Sequence, residues 1–142
     1  MADLRLRALN VLRRLRRVET DGARRELGDA LAREAAIARQ NDAIARELEQ
    51  ARQVSGYFDR EAFSAWFDRM STERARVAAS MLEAETRTAA SRAGLAHRRV
   101  AQTAAEDALA REATAREAEV ARRDQLILED VARALKRAPP TG

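Results

Sequence analysis

The residue types that usually carry chemistry are almost absent from this chain. There is one histidine, His97, set among arginines, and there is no cysteine. A metal site or a base–nucleophile pair needs more than one such group, so His97 reads as an ordinary surface residue. Without cysteine there is no thiolate or disulfide chemistry. No glycine-rich phosphate loop is present. Carboxylates are plentiful, but they alternate with arginines, as they do on solvated helix faces. The expectation is a protein that is not an enzyme, with no cofactor, no metal and no small-molecule ligand.

What remains is charge and apolar patterning. Arg5, Arg7, Arg13, Arg14, Arg16, Arg17, Arg24 and Arg25 crowd the start, against Asp3, Glu19 and Asp21. Arg133, Lys136 and Arg137 crowd the end, and the formal net charge is +4. Three partners suit such a surface. Nucleic acid is one, although no recognition motif accompanies the arginines and no aromatic residue is interleaved with them. An anionic membrane is another, because the first stretch is basic and amphipathic. A complementary acidic protein is the third. A merely solvated face stands beside them.

The elements that must position these residues are helices. Charged residues make up 35% of the 142 residues, and both prolines lie at the end. Ala, Arg, Glu and Leu at helical period mark long helices or coiled coils. Leu4, Ala8, Val11, Leu12, Leu15 and Val18 recur at three- and four-residue steps and predict one buried stripe. It continues through Ala23, Leu27, Leu31, Ile37, Ile44, Leu48 and Ala51. Gly22 and Gly28 within it read as tolerated weak points. This first helix is expected over 3–54.

At 55–59 the pattern breaks. Gly56 is expected to end the helix with a positive φ, and Asp59 to cap the next one. Every aromatic residue falls here or just beyond, at Tyr57, Phe58, Phe63, Trp66 and Phe67. The second helix is expected over 60–137. Its stripe runs through Phe63, Phe67, Met70, Val77, Met81, Ala84, Thr88, Leu95, Ala105, Leu109 and Ala113, then Val120, Ile127, Val131 and Leu135. A disordered tail is expected at 138–142. Acid-before-base pairs such as Asp29–Arg33, Glu112–Arg116, Glu119–Arg123 and Glu129–Arg133 predict solvated helix surface.

The fold class expected is all-α, a two-helix antiparallel coiled-coil hairpin with a longer second helix, forming one domain over 1–142. At 1.5 Å per residue the arms are about 78 and 117 Å long. Folded at Gly56, Leu4 faces roughly residue 110, and about 25 residues of the second helix lack a partner. Val120, Leu126, Ile127, Leu128, Val131 and Leu135 lie in that overhang, and an uncovered apolar stripe implies another chain. The hairpin also brings the two basic ends together, away from the aromatic turn. No run of about 18 apolar residues is present, and the start lacks the uninterrupted apolar core of a secretory signal. A cytoplasmic protein is the expectation.

The layout resembles a known family. A basic start, Leu4-x-Leu6-x-x-Leu9-x-x-Leu12-x-x-Leu15-Arg16-Arg17, leads into an Ala/Arg/Glu helix. After the break, Phe63-x-x-Trp66-Phe67-x-x-Met70 opens a longer helix. This is similar to the FliJ/YscO family, the central stalk proteins of flagellar and type III secretion export ATPases. The resemblance covers nearly the whole chain and rests on length, break position and charge layout.

The resemblance implies a stalk whose termini-bearing end enters the hexameric export ATPase and promotes its assembly and activity. The residues for that contact would be Arg5, Arg13, Arg14, Arg16, Arg17, Ile127, Val131 and Leu135. It implies a second contact, with the export gate protein, at Phe63, Trp66, Met70 and Val77, and a third with substrate chaperones. The family's partly aromatic face late in the first helix is not matched, since Asp42, Ala45 and Glu49 stand there. The resemblance places the protein in the cytoplasm, peripheral to the inner membrane at the export apparatus. It leaves open the flagellar and injectisome branches. The rival readings are a homodimeric coiled-coil scaffold and a basic coiled coil on membrane or nucleic acid.

Overall fold

A computed structural model describes residues 2–57 and 59–139. Phe58 and the part of the expected tail at 140–142 lie outside the described residues. Two α-helices, α1 (Ala2–Val54) and α2 (Arg60–Arg137), pack against each other, joined by a short 3₁₀ turn, Ser55–Tyr57. The described residues contain no strand. The fold is an all-α helical hairpin with the longer helix second, and both helices fall within a residue or two of the expected bounds.

Local chemistry explains the boundaries. Neither helix contains proline, and Pro139 stands two residues past the end of α2, where it cannot continue an i→i−4 ladder. Asp59 caps α2: its Oδ1 accepts the Glu61 N–H at 3.2 Å, and its carbonyl accepts the Phe63 N–H at 2.9 Å. One orphan donor of the first turn is thereby satisfied. The expectation for Gly56 is corrected. No described residue has a positive φ. The chain leaves α1 through a tightened 3₁₀ turn, which needs only right-handed backbone. Around Gly56 the space is open to a side chain.

The chain divides into two compact units, one from Glu19–Arg98 and one from Met1–Val18 with Arg99–Gly142. The turn unit holds the core. Ile37, Ile44, Leu48, Val77 and Ala84 form one buried cluster, with Trp66, Phe67, Met70 and Met81 packed on it. Ala30 and Leu95 extend the seam, with Thr20 and Thr88 buried in it. At its far end Arg98 donates to Glu19 at 3.3 Å, and the Thr20 hydroxyl donates to the Arg98 carbonyl at 3.4 Å. Leu31, expected in the stripe, is exposed, and Ala30 takes its place.

The termini unit is held differently. Among its described residues the only buried apolar one is Ala105. Leu6, Leu9, Arg13 and Arg16 of α1 are half-buried, as are Gln102, Leu109 and Glu112 of α2. Ion pairs join the two segments: Arg17 to Glu106 at 3.5 Å, Arg5 to Glu112 at 3.4 Å, and Arg116 to Asp3. These pairs are largely exposed, so each contributes at most about 1 kcal/mol. Glu112 and Arg116, expected to pair along the helix, bridge the helices instead. Glu119–Arg123 forms as expected at 3.4 Å, whereas Arg133 turns to Asp130 at 3.8 Å rather than to Glu129.

The largest correction concerns the start of α1. Leu4, Val11, Leu15 and Val18 are exposed, and only Leu12 of the expected stripe is half-buried. Among the buried or half-buried residues of α1 runs an unbroken row at 3-4 spacing: 6, 9, 13, 16, 20, 23, 27, 30, 34, 37, 41, 44, 48 and 51, with 10, 12, 19, 22, 38, 43 and 45 half-buried beside it. That is the seven-residue repeat of a coiled-coil seam. Leu4, Val11 and Val18 stand in another phase of the same repeat, on the opposite face.

Candidate docking surfaces

In the turn unit the candidate surface is aromatic. Phe63 lies one turn from both Trp66 and Phe67, with ring centroids 6.1 Å away in each pair and interplanar angles of 36° and 29°. Such separations lie within the range of favourable ring pairs. Ala51, Val54, Ala62, Phe63 and Trp66 line an apolar hollow of about 310 Å³. Tyr57 stands exposed beside this end. Phe63, Trp66 and Met70 are half-buried and keep part of their surface open. Val77 is 3% exposed and belongs to the core cluster, so it offers no contact surface.

The termini unit carries the charge. It holds fourteen arginines and lysines against nine acidic residues, a surplus of five over a chain whose net charge is +4. The turn unit is therefore close to neutral. Within the termini unit the candidate arginines differ in kind. Arg14 is exposed, and Arg5 and Arg17 are exposed but held by Glu112 and Glu106. Arg13 and Arg16 are half-buried in the seam, so the set of four at 13, 14, 16 and 17 does not lie on one free face. The Arg13 Nε is buried without a hydrogen-bond partner.

Two carboxylates of this unit, Glu106 and Glu119, titrate below their ordinary range. Glu106 is held down first by a hydrogen bond from Gln102, then by Arg17 and the nearby Arg13 charge, while desolvation acts the other way. Glu119 is held down first by a hydrogen bond from Arg122 and its charge, with Arg123 adding to it. Both stay ionised at neutral pH and partly neutralise the arginines that hold them.

Past Glu119 every described residue is exposed. Val120, Ile127, Val131 and Leu135 share one face of this stretch, with Leu128 at its edge. Ile127 is 59% exposed and Val131 51%. The site residues expected in this segment are thus present as an open apolar ridge. Sequence reasoning missed the matching exposure of Leu4, Val11, Leu15 and Val18. The signal available was the phase of the seven-residue repeat counted back from Ile44 and Leu48.

His97 is exposed. Among the described residues no group of three or more His, Cys, Asp or Glu is placed to hold a metal ion. No helix of the described residues is long and apolar enough to cross a membrane. Comparison with protein-family models, with curated proteins and with solved structures gave no match to the chain.

Proposed function

We propose that this protein is the central stalk and assembly factor of a type III protein export apparatus. Its termini unit enters the hexameric export ATPase and activates it. The aromatic end, at Phe63, Trp66 and Met70, couples the ATPase to the export gate. Substrate chaperones are further partners, and the protein works in the cytoplasm, peripheral to the inner membrane. The reading joins the layout resemblance to one structural observation. Among the described residues of the termini unit one apolar residue is buried, while eleven large apolar residues are exposed, on the unit that carries the chain's whole positive surplus. A surface so divided favours a partner that supplies both apolar cover and negative charge.

The test is hydrolysis by the export ATPase from the same organism, with and without this protein, alongside sedimentation of the protein alone. A stalk is mainly monomeric and raises the ATPase rate. A protein that leaves the rate unchanged and dimerises at micromolar concentration is a homodimeric scaffold, and the stalk reading then fails.

A further inference from the structure

The exposed row on the first turns of α1 is a second apolar face, separate from both the seam and the ridge beyond Glu119. Leu4, Val11 and Val18 stand seven residues apart, with Ala8 and Leu15 between them, and all five are exposed. At 100° per residue the centre of this row lies about 160° around the helix from Leu6, Leu9, Arg13 and Arg16. The packed partner therefore cannot cover it. A seven-residue row drifts only about 20° per repeat on a straight helix, so it stays on one line long enough to seat another helix.

One edge of the row is basic and free. Arg7 and Arg14 are also seven residues apart, are exposed, and pair with no described residue. They lie about 60–80° from the centre of the row, where flanking charges of a coiled coil stand. The other edge holds the half-buried Leu12 and Arg5, which is tied to Glu112.

We infer that this face takes a third helix, from an acidic protein partner. That helix carries apolar residues at 3-4 spacing and a row of carboxylates seven residues apart along the Arg7/Arg14 edge. Two other occupants fit less well. A second copy paired antiparallel about a two-fold axis sets the Arg7/Arg14 edge against itself. Paired in parallel, it sets that edge against Arg5, Leu12 and Glu19, and the one carboxylate among them is already held by Arg98 of its own chain. A lipid surface would use the basic edge, but it has no use for a seven-residue repeat of both the apolar and the arginine rows. The inference stands whether or not the partner is an ATPase.

The test uses the full chain and a synthetic helical peptide of about four heptads, with Leu at both seam positions and Glu at both flanks. A Lys-flanked peptide is its counterpart, and fluorescence anisotropy is read at low and physiological salt. The Glu peptide should bind, more weakly as salt rises, and Val11→Ser with Leu15→Ser should weaken it at least about tenfold. The same pair should leave the thermal midpoint of the protein unchanged, because neither side chain is in the seam. Arg7→Glu with Arg14→Glu should transfer the preference to the Lys peptide. Equal binding of both peptides, or none of the Glu peptide, overturns the inference. A concentration-dependent dimer abolished by Val11→Ser with Leu15→Ser overturns it in favour of a second copy. Binding to phosphatidylglycerol vesicles lost in that variant, with the peptides ignored, overturns it in favour of a lipid surface.

Discussion

Replacing Ile127 and Val131 together by serine separates a docking ridge from a structural one. The two side chains are 59% and 51% exposed, and the core cluster includes neither. In the isolated protein their loss removes little buried surface. Ile, Val and Ser differ only slightly in helix propensity, so the summed cost is a few tenths of a kcal/mol. At about 4 °C per kcal/mol the thermal midpoint should move by no more than about 2 °C. Val77→Ala supplies the contrast. Val77 is 3% exposed beside Ile37, Ile44 and Leu48, and truncating it should cost about 2 kcal/mol and about 8 °C. Against a partner the order reverses. Burial of the two ridge side chains is worth about 3–6 kcal/mol, so the double variant should weaken the complex at least about a hundredfold. Circular dichroism melts of the isolated protein and ATPase stimulation at graded protein concentration read the two effects. If the double variant unfolds far below the wild type, and the wild type melts higher as its concentration rises, the ridge is a dimer seam and the reasoning fails.

Thr88 is 3% exposed and its hydroxyl is buried without a partner, so Thr88→Val, which keeps the shape, should raise stability by about 1 kcal/mol. A higher urea midpoint at unchanged slope checks this, and a lower one would show that the hydroxyl is satisfied. Asp59→Ala removes the cap of α2 and should cost about 1 kcal/mol, read in the same titration. Glu106 and Glu119 titrate below the free carboxylate range, so their stabilisation is present above that range and is lost as pH falls through their folded values. The midpoint should therefore decline on acidification below about pH 5, and Glu106→Gln should flatten part of that decline.

Much of the architecture is legible in the residues themselves. The end of α1, the start of α2 and the halt at Pro139 follow from local effects: a break in the apolar period, one capping carboxylate and a residue without an N–H. The turn conformation did not follow, because Gly56 permits a positive φ without requiring it. For the candidate surfaces the legibility is uneven. Ile127, Val131 and Leu135 were readable as uncovered from arm length alone, since an unequal hairpin leaves its longer arm bare. Val77 reads both as part of the stripe of the second helix and, through the resemblance, as a gate contact; its burial in the core bears out the first reading and removes the second.

By itself, then, the sequence determined that the chain is helical, where it turns back and which arm is longer, because each depends on contacts within a few residues or on simple length. Which face of α1 is inside was decided only by the tertiary structure. Residues 2–18 offer two rows at heptad spacing. The more apolar row, Leu4, Ala8, Val11, Leu15 and Val18, is outside, and the row with Leu6, Leu9, Arg13 and Arg16 is in the seam. A continuous helix has one phase: counting back in steps of three and four from Ile37, Ile44 and Leu48 leads to Arg16, Arg13, Leu9 and Leu6, whatever their polarity. Local hydrophobicity ranks the rows one way and the helical repeat ranks them the other. The long-range packing of Ile37, Ile44 and Leu48 against α2 outweighs the preference of the first turns, and the displaced apolar row is left for a partner.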